Sequence, residues 1–216
     1  MTAKIITVAQ QKGGAGKTTL AAHLAVAFTA AGKSVAVVDI DPQESLTLWY
    51  RLREEQPKGE RRDAGAGLLV NRITGWRVKN EVERLARDHD VVLIDSPPHA
   101  ETEARIAIRA ADLVVVPVQP SPMDVWATGP TLELARDEGT PALIVLNRVP
   151  PRANLTEEMI AAVKQYGAAL ARARIGNRVV FASALSEGRA VGEVQPRGKA
   201  AAEIKALAKE ILKKAG

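Results

Sequence analysis

Short apolar runs recur from one end of the chain to the other, and most are followed by residues whose apolar positions repeat at helical spacing. The runs are Ile5 to Ala9, Val35 to Ile40, Leu68 to Val70, Val91 to Asp95, Leu113 to Val118, Ala142 to Leu146 and Val179 to Ala182. Continuous Val, Ile and Leu without polar alternation suits strands buried on both faces, and the intervening helical patterns suit crossovers of a parallel sheet. Thr18 to Ala31 reads as a helix stopped by Gly32. Thr156, followed by Glu157 and Glu158, reads as an N-cap with acidic residues in the first turn. Ala200 to Lys214 repeats Ala, Ile and Leu between lysines, the pattern of a last amphipathic helix packed on the body. The prediction is an α/β fold: a mostly parallel sheet of about seven strands, covered by helices on both faces. The polar, glycine-rich stretch Gln56 to Gly67 reads as a surface loop, so 1–216 is expected to be one domain. No internal repeat is visible.

Composition narrows the function classes. The chain has 216 residues, 46% hydrophobic and 25% charged, the balance of a globular protein. It contains no cysteine, which excludes disulfides, thiol nucleophiles, Cys-ligated zinc and iron–sulfur clusters. Neither a signal peptide nor an apolar stretch long enough to span a bilayer is present, so a cytoplasmic location is expected. A formal charge of +5 favours contact with a polyanion such as DNA or an acidic membrane surface.

The chemistry begins directly after the first run, at Gln11-Lys12-Gly13-Gly14-Ala15-Gly16-Lys17-Thr18-Thr19, which leads into helical sequence. Glycines let backbone N–H groups turn toward phosphate oxygens, and the helix N-terminus adds its positive dipole end. This is the arrangement of a P-loop, in which Lys17 reaches the β- and γ-phosphates and the Thr18 hydroxyl ligates Mg²⁺. A dinucleotide-binding turn would need a third glycine where Thr19 stands, and it would give Lys17 and Thr18 no task. Strand-end carboxylates complete the pattern: Asp95 closes one apolar run, and Asp39 and Asp41 close another. Mg²⁺ keeps several waters and takes only one or two carboxylates, so these aspartates are its candidate supports.

In these residues the chain resembles the ParA/MinD family of deviant Walker-A ATPases, specifically the short ParA forms. The likeness rests on Lys12 to Thr19, Asp39-Ile40-Asp41-Pro42-Gln43, Asp95-Ser96-Pro97-Pro98 and Val116 to Pro122. It implies an ATP-sandwich homodimer in which Lys12 of one subunit reaches the phosphates held by the other. ATP is then bound through Gly13, Gly14, Ala15, Gly16, Lys17, Thr18 and Thr19, with Asn147 reading adenine. Mg²⁺ is supported by Thr18, Asp39 and Asp95, Asp41 orients the attacking water, and Lys12, Lys17 and Asp41 form the catalytic set. The loop from Pro117 to Pro122 would lie beside the nucleotide and the dimer interface.

By the same resemblance, the ATP dimer binds DNA without sequence preference through basic residues of the C-terminal part, Arg197 and Lys199 matching that placement best. The expected activity is slow ATP hydrolysis stimulated by a ParB-like or cargo-bound partner, used to position a plasmid, chromosome or protein assembly on the nucleoid. With the first strand only a few residues in, no N-terminal helix-turn-helix is expected. The alternative is a MinD-like membrane-associated regulator docked through the helix from Ala200 to Lys214. Among the three histidines, His23, His89 and His99, no spacing resembles a metal site, and His99 stands nearest the strand-end motif. Trp49, Tyr50 and Trp126 read as packing residues in the core or an interface rather than as base-stacking platforms.

Overall fold

The computed structural model describes residues 2–56, 67–73, 77–98, 101–151 and 154–216. Seven parallel strands form one sheet in the order β3-β2-β4-β1-β5-β6-β7. They are β1 (Lys4–Val8), β2 (Val35–Asp39), β3 (Leu68–Arg72), β4 (Val91–Asp95), β5 (Leu113–Val118), β6 (Ala142–Leu146) and β7 (Ala169–Leu170). Ten helices are seen among the described residues: α1 (Lys17–Ala30), α2 (Ser45–Glu55), α3 (Val78–Asp88), α4 (Glu101–Arg109), α5 (Pro122–Trp126), α6 (Gly129–Asp137), α7 (Asn154–Lys164), α8 (Val179–Ser186), α9 (Val191–Val194) and α10 (Lys199–Lys214).

Strand periodicity sorts the core into two layers. Val35 and Val37 point into the layer built on α1 and α10, whereas Ala36 and Val38 face α3 on the other side. Val114 and Val116 of β5 likewise face α4 and α7, while Leu113 and Val115 face α1. Both faces being covered explains why the runs lack polar alternation. Helix α1 is apolar nearly all round because it lies beneath α10, whose Ile204, Leu207 and Ile211 are buried in the same layer. It ends in a Schellman motif: Gly32 takes φ 79°, its N–H donates to Thr29 O, and the Lys33 N–H donates to Phe28 O.

Two sequence expectations change. Val179 to Ala182, expected as the seventh strand, is the first half of α8. Val180, Phe181, Ala184 and Leu185 pack inward while Val179 is 84% exposed, which is a helical stripe rather than a two-residue alternation. A short apolar run carries too little periodicity to separate the two states. The seventh strand is instead Ala169–Leu170, two residues paired with Leu143 and Ile144 at the sheet edge. Thr156 also is no N-cap, since α7 begins at Asn154. The stretch expected as a loop after Gln56 lies outside the described residues from 57 to 66, and so does His99.

A buried ion pair ties distant parts of the α1 layer together. The Arg53 guanidinium of α2 donates to both oxygens of Glu193 in α9, at 2.9 and 2.8 Å, and to Gly188 O at 3.3 Å. Both side chains are 1% exposed. Gly188 has φ 66°, and a Cβ there would lie 2.6 Å from Arg53 N, so a side chain has neither the conformation nor the room.

Candidate functional site

The sheet order places the C-terminal ends of β1, β2, β4, β5 and β6 along one edge, where the expected residues gather. After β1 the chain turns through Gly14 at φ 78° and Gly16 at φ 89°, then enters α1 at Lys17. Gly16 admits no substitute: its φ suits glycine, and a Cβ would sit 2.6 Å from Asn147 Nδ2. No backbone N–H from Gly13 to Gly16 donates to another group among the described residues. The loop carbonyls, in contrast, are held. Gly14 O accepts from Gln119 Nε2 at 3.0 Å and from the Arg148 guanidinium at 3.3 Å, and Ala15 O accepts from Asn147 Nδ2 at 2.8 Å. Free donors on a braced loop at the start of a fourteen-residue helix make an anion-binding nest.

Lys17 is 6% exposed, and burial lowers its pKa against the opposing pull of Asp95 and Asp41. Asp95 ends β4, which pairs with both β1 and β2, so it stands beside Val8 on one side and Asp39 on the other. It is fully buried, and neither of its oxygens has a partner at full hydrogen-bond geometry among the described residues, the Thr18 hydroxyl approaching it only loosely. Burial pushes its carboxyl up to about 7, Asp39 and Asp41 adding to the shift while the Thr18 hydroxyl and Lys17 oppose it. An orphaned carboxylate next to an ammonium and a threonine hydroxyl fits a hard cation, and Mg²⁺ is the cation that such a sparse donor set suits. Among the described residues no cluster of three His, Cys, Asp or Glu offers a fuller metal cage.

Asp39 and Asp41 sit differently from Asp95. The Asp39 carboxylate accepts from Asp41 N at 3.1 Å, Thr47 N at 3.0 Å and Thr47 Oγ1 at 2.7 Å. Asp41 is half-buried, and its Oδ1 closes a turn by accepting from Gln43 N at 2.9 Å. Lys12 does not lie on its own phosphate nest. Its Nζ is 2.7 Å from Asp124 Oδ2, and Asp124 is held in turn by the Ser121 hydroxyl at the start of α5. Ser121 caps that helix, with Pro122 at the first position, so the proline-rich loop is what sets Asp124 in place.

Asn147, expected to read a base, uses both ends of its amide locally: Nδ2 on Ala15 O and Oδ1 as acceptor from Arg148 N at 3.0 Å. It nevertheless lines a cavity of about 260 Å³ with Thr19, Leu20, Ile175, Asn177 and Phe181, directly beside the first turn of α1. Arg197 and Lys199, exposed before and at the start of α10, lie with Lys205, Lys209, Lys213 and Lys214 along that helix's outward side. His23 is buried in α1 and His89 contacts Leu85 O; neither is part of the edge. Trp49 is core, but Trp126 on α5 is 66% exposed and so is not a core residue.

The sequence reading missed Thr47, Gln119, Arg148 and the pair Gln10 and Thr131, which joins the end of β1 to α6 through a 3.2 Å hydrogen bond. These are loop or helix residues of ordinary type, and only the fold brings them to the edge. Gln119 was within reach, since it stands inside the proline-rich motif.

Comparison with known proteins gives the family. Residues 6–191 match the CobQ/CobB/MinD/ParA nucleotide-binding domain. The chain is 30% identical to the maintenance of carboxysome distribution protein A of Halothiobacillus neapolitanus, over 96% of this chain and 95% of that one. It is 28% identical to the chromosome-partitioning ATPase Soj of Thermus thermophilus, over 96% and 94% respectively. Among solved structures, the MinD cell division protein of Aquifex aeolicus superposes with a TM-score of 0.78 at 20% identity, covering 98% of both chains. An ATP complex of a Cyanothece McdA variant gives 0.76 at 19% identity, covering 98% of this chain and 96% of that one. At such identities the structures speak for the shared fold.

Proposed function

This chain belongs to the CobQ/CobB/MinD/ParA family of nucleotide-binding domains, and on that premise we propose that it is an ATP-driven positioning switch. What carries the reading is two lysines at the two ends of one glycine-rich loop: Lys17 buried at the start of α1, and Lys12 paired with Asp124 instead of with the nest. The N–H groups of Gly13 to Gly16 receive the phosphates, Lys17 reaches the β- and γ-phosphates, and Thr18 with Asp95 holds Mg²⁺. When bound, that ion neutralises charge on the transferring phosphoryl group. Asp41 orients the attacking water, and the cavity beside Asn147 takes the adenine. Hydrolysis is slow because, among the described residues, no histidine stands at the edge beside Asp41, leaving the cycle to be triggered by an activating partner on the cargo.

Lys12 would leave Asp124 for the phosphates held by a second copy, so that nucleotide and dimer stabilise each other. Each copy then contributes the lysines of α10, and two weak phosphate-contacting surfaces act as one bivalent surface on DNA. Relatives named for distributing carboxysomes and for partitioning chromosomes support such a role in positioning. A membrane-docking role is less well supported, because α10 buries Ile204, Leu207 and Ile211 and has lysines on its outward side.

Sedimentation of the protein with plasmid DNA and with anionic liposomes, each with ATP and with ADP, tests the reading. ATP-dependent pelleting with DNA is expected; pelleting with liposomes alone would refute it. Lys12→Ala is expected to abolish ATP-dependent dimerisation, and a variant that still dimerises fully removes the shared-site mechanism.

A further inference from the structure

Asp39 stands at the nucleotide edge, yet it is fully buried and both of its oxygens are engaged within the chain. One oxygen accepts the Asp41 N–H; the other accepts both the N–H and the hydroxyl of Thr47. Thr47 is the third residue of α2, a helix whose N-cap, Glu44, makes no side-chain capping bond. The Asp39 carboxylate therefore caps α2 from the preceding strand, with its negative charge at the positive end of the helix. Between these anchors the chain turns sharply: Gln43 N donates to Asp41, and Glu44 takes φ 55°, a left-handed conformation that costs a non-glycine residue energy and must be held by its surroundings.

We infer that Thr47 is a positioning residue for hydrolysis: its hydroxyl fixes the Asp39 carboxylate, which holds the Asp41 backbone and so aims the Asp41 side chain at the attacking water. The inference rests on Asp41 being the water-orienting group proposed above. It assigns Asp39 to the support of Asp41 rather than to the metal, and it gives a task to a threonine that no motif singles out. Both bonds have the ordinary length for their donor type, 2.7 Å for the hydroxyl and 3.0 Å for the N–H, and the hydroxyl is the one that a side-chain substitution removes.

The test uses the full chain with Thr47→Val, Thr47→Ser and Asp41→Asn. Thr47→Val keeps the shape and the N–H but loses the hydroxyl. It is expected to lower kcat about tenfold through misplacement of Asp41, while ATP affinity and ATP-dependent dimerisation stay within about twofold. Amide hydrogen exchange of the nucleotide-free protein should speed up at Asp41 and Gln43. Thr47→Ser restores both readings. If Asp41→Asn slows hydrolysis while Thr47→Val does neither, the role of Thr47 is overturned and the reading of Asp41 stands. If Asp41→Asn hydrolyses at the normal rate, the reading of Asp41 fails and this inference fails with it. A Thr47→Val protein that loses ATP affinity in step with kcat, or a Thr47→Ser protein equally slow, also overturns it.

Discussion

His23 offers a quantitative test of the packing between α1 and the C-terminal helices. The ring is 1% exposed, with Nε2 3.0 Å from Phe181 O and Nδ1 3.3 Å from the Val191 N–H. Only one neutral tautomer satisfies both partners: Nε2 donates to the carbonyl and Nδ1 accepts from the amide. Protonation at Nδ1 would set two N–H groups against each other in a buried site. Burial accordingly pushes the pKa down from 6.5 to about 4, in spite of the Phe181 carbonyl and the Glu193 carboxylate, which favour the charged ring. The unfolded chain takes up a proton near pH 6.5 and the folded chain does not until about pH 4. This contribution to stability is therefore complete above pH 6.5 and is lost progressively toward pH 4. At 1.36 kcal/mol per unit, the loss from this residue is about 2 kcal/mol at pH 5. Urea unfolding at pH 7.5 and pH 5 measures it, with the slope checked for constancy. His23→Gln keeps a donor near the Nε2 position and does not titrate, so its stability should fall by about 2 kcal/mol less than the wild type between the two pH values. Equal pH responses in the two proteins would refute the reasoning.

Two further predictions concern backbone and charge. Gly16→Ala places a methyl group against Asn147 in a left-handed turn, so nucleotide binding measured with a fluorescent ATP analogue should be lost while the circular dichroism spectrum persists. Arg53→Met removes the bidentate guanidinium contact from buried Glu193, which keeps the Ala190 N–H, and should cost on the order of 3 kcal/mol in urea unfolding. Pairing that change with Glu193→Leu should recover much of the loss, and a double variant as unstable as the single one contradicts the account.

The two parts of the molecule were legible in the sequence to different degrees. Lys12 to Thr19, Asp39, Asp41 and Asp95 could be picked out as candidates because each stands next to a recognisable strand end, turn or helix start, and the fold gathers them along one edge. The sheet was readable because strands buried on both faces leave uninterrupted apolar runs. Val179 to Ala182 misled because four apolar residues carry no period, and Ala169–Leu170 escaped because an edge strand of two residues leaves almost no signal. Thr47 and Arg148 were out of reach for another reason. Their partners, Asp39 and Gly14, lie 8 and 134 positions away, and nothing in a threonine or an arginine says which way a helix or a loop will turn it. Trp126 shows the limit from the other side: residue type suggested packing in the core or an interface, and only the fold decides against the core, with the indole 66% exposed.

The Arg53 to Glu193 pair joins residues 140 positions apart, and α1 finishes its packing only beneath α10. During synthesis the phosphate nest and the strands that carry its carboxylates leave the ribosome long before either partner does. Until then Arg53 lacks Glu193 and one side of α1 stays bare, a state that invites aggregation or chaperone binding. Nucleotide, if it binds once Gln119, Asn147 and Arg148 have braced the nest, reaches the chain before α10 is in place. For this fold the sixteen-residue α10 is thus a clasp, closing a core layer over a phosphate nest that was written first.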